Sequence, residues 1–360
     1  MDRVLKSKKL CFFIGWNNPN YSRSSVLLNY DSKEFTKVFL PVPSDLVGQI
    51  KVVRGLKKAT EGDSIIVVMS PCHKLALLAR IFTRAKIVLD AGWPLTDGVL
   101  SRGLSTSRVL YLIYIYLIDL VSFHSAHLVL VETRLQKSRV SKLFLLRLKK
   151  IERSLTGFNE LFNSEPSDVS SNVLSVKRLI AESKSQLVVI FRGKINSESG
   201  IENILGAARL VESEVIFLLA TSGAGNVKKV MANCIEIPSL TNSEMAELYE
   251  ISDIALGQLS NHPRLKLTIP HKAFEGGYFG KCYLSANSRG LREWLTSKEA
   301  FLIDDVSPEG IADSLRVLKD KNRRNQLSSK IKKRYNDTAS QLKINQEFEK
   351  TLKNKFVGIF

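Results

Sequence analysis

IPHKAFEGGYFGKCYLSAN, residues 269–287, reads as a short helix, a glycine stop and a buried strand. Pro270 suits the first position of a helix, where its missing N–H is not needed. Lys272 and Glu275 are three apart and share one face, while Phe274 and Tyr278, four apart, share another, the core side. Gly280 ends the helix, and Cys282-Tyr283-Leu284 reads as a strand. A helix start attracts anions, and a lysine there strengthens the attraction. A carboxylate one turn later is an acceptor for sugar hydroxyls. Cation, helix start and carboxylate together suit a nucleotide. The plain alternative is an ion pair on an exposed helix, worth about 0.2–0.5 kcal/mol.

The same helix-then-strand unit recurs on both sides of this stretch. Upstream, LVVIF (187–191), EVIFLLA (214–220), CIEIP (234–238) and DIALG (253–257) read as strands, with helices GIENILGAARLV (200–211) and SEMAELYEI (243–251) between them. Downstream come a strand, AFLID (300–304), a helix and a charged helical tail over 321–355. The first half alternates in the same way. Strands KLCFFI (9–14), SIIVVM (64–69), KIVLD (86–90) and HLVLV (127–131) alternate with helices over 47–59, 73–84, 108–124 and 134–148. Short continuous apolar runs between helices indicate parallel sheets covered on both faces. The Ser- and Asn-rich NSEPSDVSSNVLSV (163–176) reads as a linker. The expected organisation is therefore two doubly wound α/β domains, 1–165 and 166–340. A C-terminal helix over 341–360 would pack back on the first domain, and the cleft between the domains is the default binding place.

Composition sets limits. The 360 residues carry a formal charge of +18 and are 44% hydrophobic. Residues 1–165 hold 25 Lys and Arg against 13 Asp and Glu, and residues 166–360 hold 28 against 22. The excess therefore sits mostly in the first half, where it would attract phosphorylated ligands or an anionic membrane. Nucleic acid is not expected, because no recognition motif accompanies the charge. The four cysteines, Cys11, Cys72, Cys234 and Cys282, have neither zinc nor disulfide spacing and read as buried thiols of a reducing compartment. VLYLIYIYLI (109–118) is too short to span a bilayer and reads as a buried or interfacial helix. No signal peptide is convincing at the start.

With these residues in view, the chain resembles GT-B glycosyltransferases, and among them family 4 of the nucleotide-sugar-dependent enzymes that build bacterial surface polysaccharides. PHKAFEGGYFGKCYLSAN is similar to that family's Pro-x-Lys-x-x-Glu followed by a glycine and a small apolar strand. FRGKINSESGIENILGAARLV (191–211) resembles its first strand-loop-helix of the donor domain, and IPSLTNSEMAELYEISDIAL (237–256) resembles the segment that packs the base. LIDLVSFHSAHLVLVETRLQKSRVSKLF and TGFNELF (156–162) resemble its closing acceptor-domain segment and hinge. The resemblance implies two Rossmann-like domains facing a central cleft. It also implies transfer of a sugar from a nucleotide-diphosphate-sugar to a glycan or lipid-linked glycan, with retention and without a metal or other cofactor. Glu275 would contact the donor ribose, and Lys272 would lie at the phosphates. Apart from the resemblance, His271 flanks Lys272 at the helix start, where a neutral imidazole can bond phosphate; the plain alternative is a solvent-exposed side chain. Gly193 and Lys194 would form the diphosphate loop, with Lys194 in a catalytic role; a register shift of one makes Arg192 the cation instead. The enzyme would be cytoplasmic, peripheral on the inner face of the membrane. The sequence departs from the family at two places, where Leu267 and Ser199 replace a common glutamate and lysine.

On the acceptor side, Asp90 closes the strand KIVLD, and AGWP follows it. Asp90, as a catalytic and acceptor-binding carboxylate, and Trp93, as a sugar platform, are the candidates; a helix cap and a core tryptophan are the plain alternatives. His73, His124 and His127 lack metal spacing and suit capping or packing roles. Two other functions stay open: a degenerate GT-B protein that binds a nucleotide sugar or a partner transferase without turnover, and a sugar-nucleotide epimerase of the same fold.

Overall fold

The computed structural model describes residues 9–16, 22–60, 64–103, 108–160, 171–183, 187–221, 225–238 and 241–357. The chain divides into two compact units, residues 1–159 with 341–360, and residues 160–340.

Unit 1 runs β1 (Lys9–Gly15), α1 (Ser22–Leu28), β2 (Phe35–Pro41), α2 (Leu46–Ala59), β3 (Ile65–Met69), α3 (Leu75–Phe82), β4 (Lys86–Gly92), α4 (Leu95–Leu100), α5 (Val109–Ser125), β5 (Leu128–Val131), α6 (Arg134–Leu143) and β6 (Ile151–Arg153). The strands lie parallel in the order β2-β1-β3-β4-β5-β6. β3, IIVVM, is buried along its whole length, as a central strand covered on both faces must be. Its side chains alternate between two cores. Ile66 and Val68 join Phe12 and Ile14 on one face, and Ile65 and Val67 join Cys11 and Phe13 on the other. The second face is covered by α13 (Gln341–Lys355), which brings Ile344, Phe348 and Leu352 onto it.

Unit 2 runs α7 (Ser171–Ala181), β7 (Leu187–Arg192), α8 (Ile201–Leu210), β8 (Val215–Ala220), β9 (Lys228–Met231), β10 (Cys234–Ile237), α9 (Asn242–Ile251), β11 (Ile254–Leu256), α10 (His271–Phe279), β12 (Cys282–Ala286), β13 (Phe301–Ile303), α11 (Pro308–Val317) and α12 (Lys321–Thr338). The sheet order is β13-β12-β11-β7-β8-β10-β9, parallel except for β9. Setting β9 aside, the parallel strands follow the doubly wound 3-2-1-4-5-6 order, with the reversal between β7 and β11.

The apolar runs named from sequence are strands here, and the edges are where the structure adds to them. β2, β6 and β9 are short or partly exposed. Polar, half-exposed edge strands carry no continuous apolar run to read. Residues 171–176, expected in the linker, are the first turns of α7, which buries Val173 and Val176; residues 163–170 lie outside the described residues. The helix expected over 134–148 stops at Leu143, and Leu145 turns to φ 51°. α5 is not wholly internal: it buries Ile115, Asp119, Ser122 and Phe123 and leaves other apolar side chains exposed. All four cysteines are free and buried.

Candidate functional site

In a doubly wound sheet, ligands sit beyond the carboxyl ends of the strands at the reversal point. In unit 2 that point lies after Arg192 and Leu256. Gly193 follows β7 at φ 127°, a conformation that costs glycine little and other residues much. A Cβ there would lie 3.0 Å from Lys272 Nζ. The loop after β7 is tied to the loop after β11: Leu259 N–H donates to Ser199 O (3.2 Å), Ser260 Oγ donates to Glu198 O (2.8 Å), and Arg264 pairs with Glu198 (2.7 Å).

α10 begins directly after Pro270, which is its N-cap and makes no side-chain cap bond. The first N–H groups of the helix therefore face outward at the level of His271 and Lys272. Gly280, in the left-handed conformation, ends the helix. Gly276 and Gly277 let α10 approach Tyr283 of β12 and Tyr335 of α12, because a Cβ at either position would lie 3.0 Å from those side chains. Phe274 packs on Trp294 at 4.5 Å in the core, whereas Tyr278, expected beside it, is only half-buried.

Glu275 is 2% exposed, so the reading of an ion pair on an exposed helix is excluded. Its Oε1 accepts from Arg192 and sits 2.9 Å from His271 Nδ1; its Oε2 accepts from the Tyr249 hydroxyl at 2.8 Å. Tyr249 is in turn stacked on Phe279, with ring centroids 4.4 Å apart. Burial opposes the Glu275 charge, but the Arg192 guanidinium, then His271 and Tyr249, offset it and hold the carboxyl well below the usual carboxylate range. Lys272 has the opposite balance. Burial lowers its ammonium from 10.5 to about 8, with Glu275 pulling the other way. Its Nζ lies 4.6 Å above the Phe191 ring, with no hydrogen bond or ion pair among the described residues. Lys194 is exposed and makes no hydrogen bond among the described residues. Of the two registers open from sequence, Arg192 is the cation brought to Glu275, 83 residues away in the chain. Ser199, in place of a lysine, is buried with its hydroxyl donating to Asn196 O at 2.6 Å. Leu267 closes a single 3-10 turn.

In unit 1, Asp90 is 2% exposed at the end of β4 and is paired with Arg23 of α1. The Arg23 Nε donates to Asp90 Oδ1 at 2.7 Å, and its Nη1 donates to Ser154 O and Thr156 Oγ1. Both Asp90 contacts fall on Oδ1, and Oδ2 makes no hydrogen bond among the described residues. Asp90 therefore caps no helix here. Trp93 lines a cavity of about 360 Å³ with Trp16, Met69 and Pro71, beyond the ends of β1, β3 and β4. This too is a reversal point of its sheet, between β1 and β3. Arg23 and Trp16 had no sequence signal beyond their residue types, because Asp90 lies 67 residues from Arg23 and Trp93 is comparably remote in the chain from Trp16. The other histidines are structural. His73 meets Asp119 at 2.7 Å with both fully buried, and His124 Nε2 sits 2.9 Å from Phe144 O. Among the described residues, no group of three or more His, Cys, Asp or Glu is placed to hold a metal ion. Most of SGAGN (222–226) lies outside the described residues.

No protein-family model matches the sequence, and no curated protein does. Solved structures do match over nearly the whole chain. One is Anabaena HepE in complex with UDP and glucose, at TM-score 0.65 and 13% identity, covering 96% of this chain and 100% of that one. Another is the catalytic domain of Arabidopsis thaliana starch synthase IV bound to ADP and acarbose, at 0.68 and 10%, covering 97% and 99%. A third is the UDP-forming α,α-trehalose-phosphate synthase of Burkholderia xenovorans with glucose-6-phosphate, at 0.66 and 10%, covering 95% and 100%. At these identities the likeness establishes the fold: α/β, of the GT-B type, with two Rossmann-like doubly wound domains.

Proposed function

We propose that the chain is a glycosyltransferase that moves a sugar from a nucleotide-diphosphate-sugar to a glycan or lipid-linked glycan, with retention and without a metal, in surface polysaccharide synthesis. The observation that carries this reading is the charge arrangement at the reversal point of unit 2. A half-buried Lys272, with no hydrogen bond or ion pair among the described residues, stands at the uncapped start of α10, beside Gly193 and the Arg192–Glu275 pair.

Glycosyl transfer needs the leaving diphosphate stabilised and an acceptor hydroxyl oriented, which is electrostatics and positioning rather than covalent chemistry. The α10 N–H groups, His271, Lys272 and the exposed charge of Lys194 would receive the diphosphate, and Gly193 leaves room for it. Glu275 would hold Arg192 toward the phosphates and accept a ribose hydroxyl on its remaining lone pairs. On the acceptor side, Asp90 Oδ2 is the atom left to take a hydroxyl hydrogen bond, and Trp93 offers a sugar its ring face. Retention requires no separate general base.

The second reading, a protein that binds a nucleotide sugar without turnover, is favoured by one observation. Arg192, His271 and Tyr249 already occupy both oxygens of Glu275. Calorimetry with UDP, GDP and ADP tests the shared premise: one nucleotide should bind selectively, and Glu275→Ala should weaken it by at least about tenfold, the loss of one charge-assisted contact. No binding to the folded protein would sink both readings. Product formation with the selected donor and a glycan acceptor then separates them.

A further inference from the structure

The cavity beside Trp93 has two walls that the chain makes separately. Ser70 and Pro71 come from the exit of β3, and Trp93 and Leu95 come from the exit of β4. Their backbones meet where Ser70 N–H donates to Asp90 O at 3.0 Å. A buried polar cluster also joins the two exits. His73, in the turn after β3, meets Asp119 of α5 with Nδ1 2.7 Å from Oδ1. Oδ2 of Asp119 accepts the Thr96 N–H at 2.8 Å and the Thr96 hydroxyl at 2.7 Å. His73 and Asp119 are fully buried, and Thr96 is 3% exposed. Thr96 lies in the first turn of α4, whose N-cap, Pro94, makes no side-chain bond. Asp119 therefore caps α4 from another helix. A second side of α4 is fastened where Arg139 of α6 holds Asp97 through Nε and Nη2. Trp93 lies against this same helix: a Cβ at Gly98 would come within 2.6 Å of its ring. The placing of α4 thus sets the placing of the Trp93 ring.

The cost of the cluster argues for a task. Burying a carboxylate is unfavourable unless it is well bonded, and no lysine or arginine among the described residues pairs with Asp119. His73 commits one N–H to the carboxylate, and its buried Nε2 has no partner among the described residues. Apolar side chains of the same volume would fill the place without that cost. What the polar groups add is direction. One carboxylate oxygen is fixed to the turn after β3 and the other to the start of α4. Structural in itself, the His73–Asp119 pair stands between the two segments that line the cavity.

We infer that His73, Asp119 and Thr96 are positioning residues for the acceptor. They hold the β3 exit and α4 in one arrangement, so that Trp93 keeps its ring face at the angle an acceptor sugar needs. The inference rests on the reading of this cavity as the acceptor side.

The test uses the full chain with three substitutions. Asp119→Asn puts an amide N–H where an oxygen accepts. Thr96→Val removes one donor at nearly constant volume and serves if Asp119→Asn does not fold, and Thr96→Ser keeps the hydroxyl. Neither residue is among those that line the cavity. In a Trp16→Phe background Trp93 reports the cavity, because Trp294, the third tryptophan, is 1% exposed in unit 2. Asp119→Asn and Thr96→Val should shift the emission to the red and make it more quenchable by acrylamide, and Thr96→Ser should not. Kinetics use UDP-glucose, GDP-mannose or ADP-glucose, whichever carries the nucleotide selected by calorimetry, with octyl glucoside as the acceptor probe. Thr96→Val should raise the acceptor KM by about tenfold or more and leave the donor KM unchanged, while Thr96→Ser should match the parent. Unchanged emission and quenching in both Asp119→Asn and Thr96→Val would overturn the inference, even with a lowered unfolding midpoint. So would an acceptor KM that does not move, or one that rises together with the donor KM. A displaced Trp93 with no product from any donor would separate the two readings: the positioning stands and the acceptor assignment of the cavity falls.

Discussion

At Glu275 the cost of burying a carboxylate is offset by three partners, and each partner arrives from a different part of unit 2. Arg192 comes from β7, Tyr249 from α9 and His271 from the start of the same helix. Glu275→Ala removes the counter-charge of Arg192 and should cost about 3 kcal/mol, in line with breaking a buried pair from one side. Glu275→Gln keeps the shape and the Tyr249 bond and should cost less; urea unfolding of both variants measures the difference. Because the Glu275 carboxyl is held below its unfolded value, its contribution is present above the ordinary carboxylate range and is lost on acidification below it. Lys272 works in the other direction. With its ammonium lowered to about 8, the folded protein gives up this proton more readily than the unfolded chain. The group's stability contribution therefore grows between about 8 and 10.5 and is lost as pH falls through about 8. A bound diphosphate needs the charged form. Nucleotide affinity should therefore fall from pH 7.5 to 9, by up to about tenfold per unit above the lysine value, and Lys272→Met should flatten that profile. A profile unchanged in the variant would place the phosphates elsewhere.

At the scale of elements, legibility followed local pattern. The continuous apolar runs of β3, β7 and β12 and the amphipathic spacing of α2 and α8 are properties of neighbouring residues, and they marked those elements correctly. β2 and β6 were missed because edge strands are short and half-polar. α7 was missed because its serines resemble a linker until Val173 and Val176 find a core. Gly200 shows how an element boundary is decided by an approach that no local pattern displays. It caps α8 at φ 70°, and a Cβ there would lie 1.9 Å from Leu259 O, a backbone atom that cannot rotate away. Gly200→Ala should therefore destabilise unit 2 by about 2 kcal/mol or more, read as a lowered unfolding midpoint. A neutral result would mean that the loops after β7 and β11 separate easily. Lys194 illustrates the limit at this scale. It stands one residue past the glycine, exposed, while the cation brought to Glu275 belongs to the strand itself.

On the scale of the whole molecule, the chain leaves unit 1, builds unit 2 and returns to finish unit 1 with α13. Phe348 is buried against Phe13, with ring centroids 6.3 Å apart. Phe348→Ala should cost about 3–5 kcal/mol. Hydrogen exchange should show the loss in β1 and β3 while β7 and β8 keep their protection; equal loss in both sheets would mean that the units unfold as one. The sequence by itself determined the α/β class, most of the central strands, the helix from 271 to the glycine at 280, and the lysine and glutamate on it. These follow from side-chain periodicity and turn chemistry, which act over a few residues. Only the tertiary structure decided that Glu275 is buried on Arg192, that Asp90 is held by Arg23, that Trp16 joins Trp93, and that α5 keeps an apolar face in water. Each of these depends on which strands lie side by side and which helix covers them. That choice is made by burying two whole sheets at once, with partners tens of residues apart in the chain.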